Sequence, residues 1–371
     1  MNDTSVSFVP SALFPACYVE FPPTVEGRSA TFFLAAEEYV ARHADFSPVA
    51  GRPQAYVFTW RLRPTVVMGR NQVAHQEVDL DFCQREGIDI VRRKSGGGAI
   101  FADERNIMTS LVTGGGPVEP LFQAYAHAVS GALNELGATT EVSGRNDIIL
   151  TCPSPREGEG MEVTTGKICG NAFYHLTGHN IVHGTMLYDT DPRLMQGALH
   201  PDQTKLQASG VKSVRSRVAL LKDVLPFGVA DLRDHLRRLL TDRCIVLDEE
   251  AVAAIEEIER EYRTPEFLYG RRAELNTVIR QRIQSVGTLE LHLALHNGKV
   301  ESLQLMGDFF HSEDDAEVLF RQAFQGYAFT PKVIGERIAV VHPERAVRNL
   351  TAEALIAFLI ESDIESDKFP E

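Results

Sequence analysis

Arg92-Arg93-Lys94-Ser95-Gly96-Gly97-Gly98-Ala99-Ile100-Phe101 runs from a basic pair through three glycines and back into apolar residues. Glycine takes φ > 0 readily and lets a ligand approach the backbone, so the N–H groups of Gly96 to Gly98 can point at an anion. The stretch outlines a phosphate or carboxylate cradle. It lacks the Gly-Lys-Ser/Thr ending of a Walker A loop and the spacing of a dinucleotide fingerprint, which excludes both of those mechanisms. Taken alone it also reads as a Gly-rich hairpin between two strands, and its surroundings decide between the two.

Upstream, Ser29 to Arg42 has Phe32, Phe33, Ala36, Tyr39 and Val40 at helical spacing. Tyr56, Phe58 and Trp60 alternate as in a half-buried strand, and Thr65 to Met68 reads as a second strand ending in Gly69-Arg70. Ile88 to Val91 is the strand that delivers the glycine loop, and Ala99 to Phe101 and Met108 to Val112 are expected to continue the same sheet. Pro120 to Leu136 reads as a strong helix, with Gly137 at the C-terminal stop.

Downstream, a strand is expected after Gly144-Arg145-Asn146-Asp147, and Thr151 to Gly160 reads as a surface loop rich in Pro, Gly and Glu. Gly166 to Phe173 and Asn180 to Leu187 look like two strands joined through a turn at Gly178. Helices follow around Asp231 to Leu240 and Asp248 to Tyr262. Arg263 to Asn276, with Pro265 and Gly270, reads as a linker. Beyond it Leu289, Leu291, Leu293 and Leu295 alternate, Asn297-Gly298 makes a two-residue hairpin turn, and helices are expected near Glu313 to Gln325 and Thr351 to Glu361.

With 371 residues the chain exceeds the roughly 250 to 300 residues at which single cores stop growing, so two domains are expected. The 44% hydrophobic and 24% charged fractions are those of an ordinary globular protein. No apolar run approaches the roughly 18 residues of a membrane span. The formal net charge of -14 argues against a general nucleic-acid binder. Cys17, Cys83, Cys152, Cys169 and Cys244 form no Cys-x-x-Cys pair, so neither a zinc ribbon nor a disulfide framework is indicated, and reduced thiols fit best. No basic segment followed by an apolar one opens the chain, and a cytoplasmic protein is expected.

Polar clusters recur at strand ends and on mixed strands: Gly69-Arg70, the glycine loop, Gly144 to Asp147, and Lys167 with His183-Gly184-Thr185. A lysine on a half-buried strand is costly to leave alone, so it normally faces an anion or a cleft. The alternative is an exposed Lys167 with no role.

Taken together, Arg-Arg-x-Ser-Gly-Gly-Gly-Ala (92–99), Gly-Arg-Asn-Asp (144–147), Gly-Lys-Ile-x-Gly-x-Ala (166–172), His183-Gly184-Thr185 and Ser213-Val214-Arg215-Ser216-Arg217-Val218 resemble the lipoate-protein ligases of the biotin and lipoate ligase superfamily. The resemblance spans roughly Arg28 to Asp223, with a weaker likeness in the C-terminal part around Leu305 to Phe310. It implies an α+β fold. A catalytic domain over 1–268, of mixed, largely antiparallel sheets with flanking helices, would precede a small α+β accessory domain over 269–371.

The implied activity is ATP-dependent: lipoate becomes lipoyl-AMP, and the lipoyl group passes to a lysine of an acceptor. ATP with Mg2+ and lipoate are substrates, with no permanently bound cofactor. The partners would be apo lipoyl domains of 2-oxoacid dehydrogenase E2 subunits or the glycine cleavage H protein, without nucleic acid or membrane. By the same resemblance Lys167 is catalytic, and Arg70, Arg93, Ser95, Gly96, Gly97, Gly98 and Ala99 bind lipoate or phosphate. Asn146, Asp147, Ala172, His183 and Thr185 bind the nucleotide, with Asp147 also the Mg2+ ligand. The C-terminal part would act as a lid.

Lys94, Cys169, Tyr174 and Ser209 depart from the family pattern. Two other readings stay open: a cysteine-dependent octanoyl or lipoyl transferase on the same fold with Cys152 as nucleophile, and a non-catalytic lipoate-binding accessory protein.

Overall fold

The structure is a computed structural model that describes residues 16–48, 54–143, 147–155, 161–176, 178–199, 218–269, 277–312, 315–361 and 364–366. Asn146, Ser209 and the segment Ser213 to Arg217 lie outside the described residues. The chain groups into two compact units, the first of residues 1–67, 78–91 and 100–263, the second of 68–77, 92–99 and 264–371. This differs from a single cut at 268/269 in two ways. The C-terminal unit begins at Thr264, and it also takes in the short segments carrying Gly69-Arg70 and the glycine loop.

The first unit is built on an eight-stranded sheet. Its strands in chain order are β1 (Ala16–Glu20), β2 (Ala55–Trp60), β6 (Ile107–Gly114), β7 (Thr140–Ser143), β8 (Asp147–Pro155), β9 (Met161–Leu176), β10 (His179–Met186) and β11 (Arg243–Val246), and their spatial order is β11-β1-β2-β6-β10-β9-β8-β7. β1 runs parallel to both β11 and β2, and the remaining pairs are antiparallel. The helices include Ala30–His43, Val118–Glu135, Val229–Leu240 and Glu249–Tyr262, the last N-capped by Asp248, whose carboxylate accepts from Ala251 N at 2.9 Å.

β2 is buried along its whole length rather than on one face. Trp60 stacks on Phe33 of the Ala30–His43 helix at 5.0 Å between ring centroids. On the opposite face Thr59 is hydrogen-bonded to Tyr18 at 2.8 Å, and Arg237 of the Val229–Leu240 helix lies over the Tyr18 ring. A strand in the middle of a sheet covered on both faces has no exposed parity, so alternation of aromatics misreads it.

A separate three-stranded sheet holds β3 (Thr65–Met68), β4 (Asp89–Arg92) and β5 (Ile100–Ala102) in the order β4-β3-β5. β5 therefore does not continue into the β6 sheet as expected. The chain reverses at Asp103 to Asn106, where the Asp103 carboxylate accepts from the backbone N–H of Arg105 and the side chain of Asn106, and this turn redirects it.

The expected loop Thr151 to Gly160 is also corrected in part. Thr151 to Pro155 are strand, paired with Met161 to Thr165 across β8 and β9. The β7 ladder ends at Leu150, followed by a Thr151 N–H bond to Thr139 O, so among the described residues Pro153 and Pro155 lie where β8 is paired with β9 alone, a position that tolerates missing N–H donors.

In the second unit β12 (Thr277–Ile283), β13 (Gly287–His296), β14 (Lys299–Gly307) and β15 (Ile364–Ser366) form a sheet of order β14-β13-β12-β15. Asn297 (φ 51) and Gly298 (φ 70) are both left-handed, as the two-residue hairpin turn demands. The alternating Leu289, Leu291 and Leu293 are fully buried, packed with Phe309, Phe320, Phe324 and Phe358 from the loops and helices of the same unit. Helices Pro331–Val341 and Pro343–Ala346 stand beside the expected pair, which is seen at Ala316–Phe324 and Ala352–Glu361.

Candidate active site

Lys167, the residue on which the chemistry was expected to turn, sits at an irregularity in β9. Asp147 pairs with Gly170 and Ile148 with Cys169, but Ile149 pairs with Lys167, so Ile168 is one residue too many. Such a bulge re-aims the side chains on one side of it. Without it Lys167 would share a face with Cys169. With it Lys167 turns to the face of Asp147 and Gly170, and its Nζ lies 2.7 Å from the Asp147 carboxylate.

The register of the next strand extends this row. Thr185 stands opposite Gly170, and His183 opposite Ala172. Lys167, Asp147, Ala172, His183 and Thr185, expected separately from sequence, thus lie on one face of one sheet. Lys167 and Asp147 are partly exposed, at 32% and 25% of their side-chain surface. Ala172, His183 and Thr185 are buried. The Thr185 hydroxyl is 3.2 Å from the Met108 sulfur.

The glycines of these two strands are explained by what a Cβ would meet. At Gly170 it would lie 2.6 Å from Lys167 Nζ, at Gly184 2.1 Å from Asn171 Oδ1, and at Gly166 2.8 Å from Ala219. Gly166 therefore admits the 218–219 segment, whose Ala219 N–H donates to Lys167 O at 3.0 Å and fixes the backbone that carries the lysine.

Cys169 and Asn171 lie on the opposite face, 3.5 Å apart at Sγ and Oδ1. Burial pushes the Cys169 thiol up to about 12, which leaves it no nucleophilic character. Tyr174 is also buried, with its ring 6.2 Å from that of His183.

Sequence reasoning passed over one group on this face. Glu37, fully buried in the Ala30–His43 helix, sets both carboxylate oxygens 3.0 Å from His183 Nδ1 and accepts from the Ser110 hydroxyl at 2.6 Å. The signal was the acidic pair Glu37-Glu38 inside the largely apolar Ala30 to Ala41, both 0% exposed. An ionisable residue in such a run is buried only if something pairs with it.

Arg70, Arg93, Ser95, Gly96, Gly97, Gly98 and Ala99 belong to the second unit. Arg93 is buried, and its guanidinium donates to Ser95 Oγ, Gly96 O and Gly98 O at 2.7 to 2.9 Å, so it braces the loop from within. The expectation that the loop N–H groups form an anion cradle is not met at Gly97, whose N–H donates to Phe309 O at 3.0 Å. A Cβ on Gly96 would come within 2.1 Å of that carbonyl oxygen and one on Gly69 within 1.9 Å of Gly97 O. Here the glycines serve close backbone packing.

Arg70 pairs with Asp315 at 2.6 Å. Arg92 is buried, hydrogen-bonded to the carbonyls of Gly69, Arg70 and Leu268, and desolvation pulls its pKa down to about 10. The Lys94 ammonium lies 5.9 Å from the centre of the Phe267 ring.

Residues 29–241 match the family model described as the lipoyl protein ligase A/B catalytic domain, and 273–359 match that of the bacterial lipoate protein ligase C-terminus. The chain belongs to the lipoate-protein ligase family. A relative in this family, a lipoate-protein ligase of Bacillus subtilis, is 31% identical over 331 residues, covering 86% of this chain and 93% of its own. Among solved structures, the Thermoplasma acidophilum bipartite lipoate protein ligase, described with its E2 lipoyl domain, is 25% identical with a TM-score of 0.56, covering 71% of this chain and all of that one. The Plasmodium falciparum protein LipL1, solved with lipoate, shares the fold at a TM-score of 0.69 and 15% identity over 90% of this chain and 96% of that one. Among the described residues, no helix of this family member is long and apolar enough to cross a membrane.

Proposed function

We propose that the protein activates lipoate with ATP and passes the lipoyl group to a lysine of an acceptor lipoyl domain. A carboxylate oxygen of lipoate attacks the α-phosphorus of ATP, pyrophosphate leaves, and the mixed anhydride lipoyl-AMP is formed. The acceptor amine then attacks its carbonyl carbon, AMP leaves, and an amide results. The first step brings two anions together and is slow unless oriented cations and N–H groups offset the growing charge.

The observation that carries this reading is the bulge that turns Lys167 onto the Asp147 face, with Gly170 keeping the space over the sheet open for the ammonium. Lys167 is assigned to the lipoate carboxylate and α-phosphate. Ala172, His183 and Thr185, on the same face, are assigned to the adenylate, as is Asn146 by resemblance. Arg70, Arg93, Ser95 and Gly96 to Ala99 are assigned to phosphate or the acyl carboxylate. The Gly97 N–H must then leave Phe309 O to serve a ligand.

Mg2+ enters with ATP, and Asp147 is the carboxylate we assign to it. Among the described residues no group of three or more His, Cys, Asp or Glu could hold a metal unaided. One carboxylate suits an ion whose other ligands are phosphate oxygens and water.

The acceptors proposed are lipoyl domains of E2 subunits and the glycine cleavage H protein, in the cytoplasm. The C-terminal match over 273–359 supports a ligase over a cysteine-dependent transferase. The test is exchange of labelled pyrophosphate into ATP by the purified chain with lipoate. Lipoate-dependent exchange is expected, and its absence, with acyl transfer from an acyl-carrier thioester instead, would replace this reading with the transferase.

A further inference from the structure

Glu37 has no place in the assignments above, yet its setting is that of a group selected for one contact. Its side chain is 0% exposed, in a helix that also buries Ala35, Ala36, Glu38, Val40 and Ala41. Burying a carboxylate costs several kcal/mol unless its oxygens are bonded. Here Oε1 accepts the Ser110 hydroxyl at 2.6 Å, and both oxygens lie 3.0 Å from His183 Nδ1. Ser110 is itself held, because the Trp60 indole N–H donates to its oxygen at 3.0 Å and Trp60 is stacked on Phe33 of the same helix.

The chain Trp60–Ser110–Glu37–His183 ties a helix to β2, β6 and β10. Its last member, paired in register with Ala172, lies in the row that contains Lys167 and Asp147. A carboxylate offers only lone pairs, so the nitrogen facing it must carry the proton. Nδ1 is thereby fixed as the N–H, and the imidazole presents Nε2 to anything else it meets. A carboxylate behind a histidine sets its tautomer and ring plane in this way in many catalytic and metal sites.

We propose that Glu37 is a positioning residue for adenylate formation, holding His183 as the Nδ1–H tautomer with Nε2 turned to accept a hydrogen bond from the nucleotide, whose ribose hydroxyls and adenine amino group are donors. This rests on the assignment of His183 to the adenylate made above. Two other hydroxyls near the carboxylate direct their protons elsewhere. The Tyr125 hydroxyl donates to Thr109 at 2.7 Å, and Tyr262 donates to Glu38, which also pairs with Arg42.

The experiment compares wild type, Glu37→Gln, Glu37→Asp, His183→Asn and the double variant Glu37→Gln/His183→Asn, each as the full chain. Pyrophosphate exchange is measured against ATP and lipoate concentration, and the His183 tautomer is read from 15N shifts of histidine-labelled protein. Glu37→Gln is expected to lower exchange about ten- to a hundredfold, the range known for removing the carboxylate behind a metal-ligating histidine. The loss should fall on kcat or the ATP KM, leaving the lipoate KM unchanged, with the Nδ1–H signature lost and partly regained in Glu37→Asp. The double variant should be no slower than His183→Asn.

Losses that multiply in the double variant, or a Glu37→Gln protein that keeps the Nδ1–H signature yet loses exchange, would overturn the positioning role. If His183→Asn exchanges normally while wild type remains lipoate-dependent, the inference fails and the ligase reading stands. If wild type shows no exchange, the ligase reading itself has failed.

Discussion

At Gly170 and Gly184 the missing Cβ makes room for side chains, those of Lys167 and Asn171, whereas at Gly69 and Gly96 it makes room for the carbonyl oxygens of Gly97 and Phe309. The first pair lies within an eight-stranded sheet, where cross-strand hydrogen bonds on both sides fix the backbone and a neighbouring side chain needs an open space above it. The second pair lies in loop segments braced by Arg93 and by carbonyls of the same unit. In sequence the two look alike, small residues among basic and polar ones. Their difference is one of what fills the space, and this separates a motif that displays a group from one that is packed down.

The comparison breaks most sharply at Lys167. Lys167→Ala should lower adenylate formation by about 10²- to 10³-fold, the range for losing one preorganised group at a developing charge. Its thermal midpoint should stay near that of the wild type, since only the partly exposed pair with Asp147 is lost. Near-normal pyrophosphate exchange by this variant would remove Lys167 from the chemistry.

Next in size is the contrast between two alanines. Gly96→Ala drives a Cβ into the backbone oxygen of Phe309, which can yield only by moving the chain, and should cost about 1 to 3 kcal/mol. Gly184→Ala meets the end of the Asn171 side chain, which yields more readily than backbone, and should cost less stability. Denaturant midpoints that rank these two the other way would show that the loop, not the sheet, is the adaptable part.

Smaller again is the Arg70–Asp315 pair, whose side chains are 43% and 35% exposed. Burial raises the Asp315 pKa, but Arg70 and His311 outweigh it and hold the carboxyl below its ordinary range. A lowered carboxylate pKa adds stability above the unfolded value, and that contribution is lost as pH falls through the folded one. Asp315→Asn keeps the N-cap acceptor toward Glu317 N and Val318 N, so it should cost no more than about 1 kcal/mol at neutral pH. The difference from wild type should vanish in strong acid, and calorimetry across pH would expose a larger or acid-persistent effect. Smallest of all, Cys152→Ser should leave ATP-dependent lipoylation unchanged, and loss of all acyl transfer would restore the thiol route.

Much of this was legible from local pattern. The helix over Ala30–His43, the β9–β10 hairpin with its left-handed Gly178, and the Asn297-Gly298 turn all follow from spacing and φ. The row of Lys167, Asp147, Ala172, His183 and Thr185 was named by motif, but its sharing of one face depends on a single extra residue at Ile168, which no periodicity reveals. Glu37 was missed because its partner lies on β10, and an acidic pair in an apolar helix signals that a partner exists without saying which. Composition cannot say whether an open backbone in the glycine loop faces a ligand or, as the Gly97 N–H does, the carbonyl of Phe309.

β1 has consequences for synthesis. It lies between β2 and β11, parallel to both, and Tyr18 pairs with Val57 on one side and Cys244 on the other. On a ribosome delivering the chain from its N-terminus, the second partner emerges only after every other strand of the eight-stranded sheet. Until then the nascent chain carries Cys17, Tyr18 and Val19, buried in the finished protein, along an edge open to association. A chain released before Arg243–Val246 would keep that edge, so premature termination there should yield aggregates rather than a smaller enzyme.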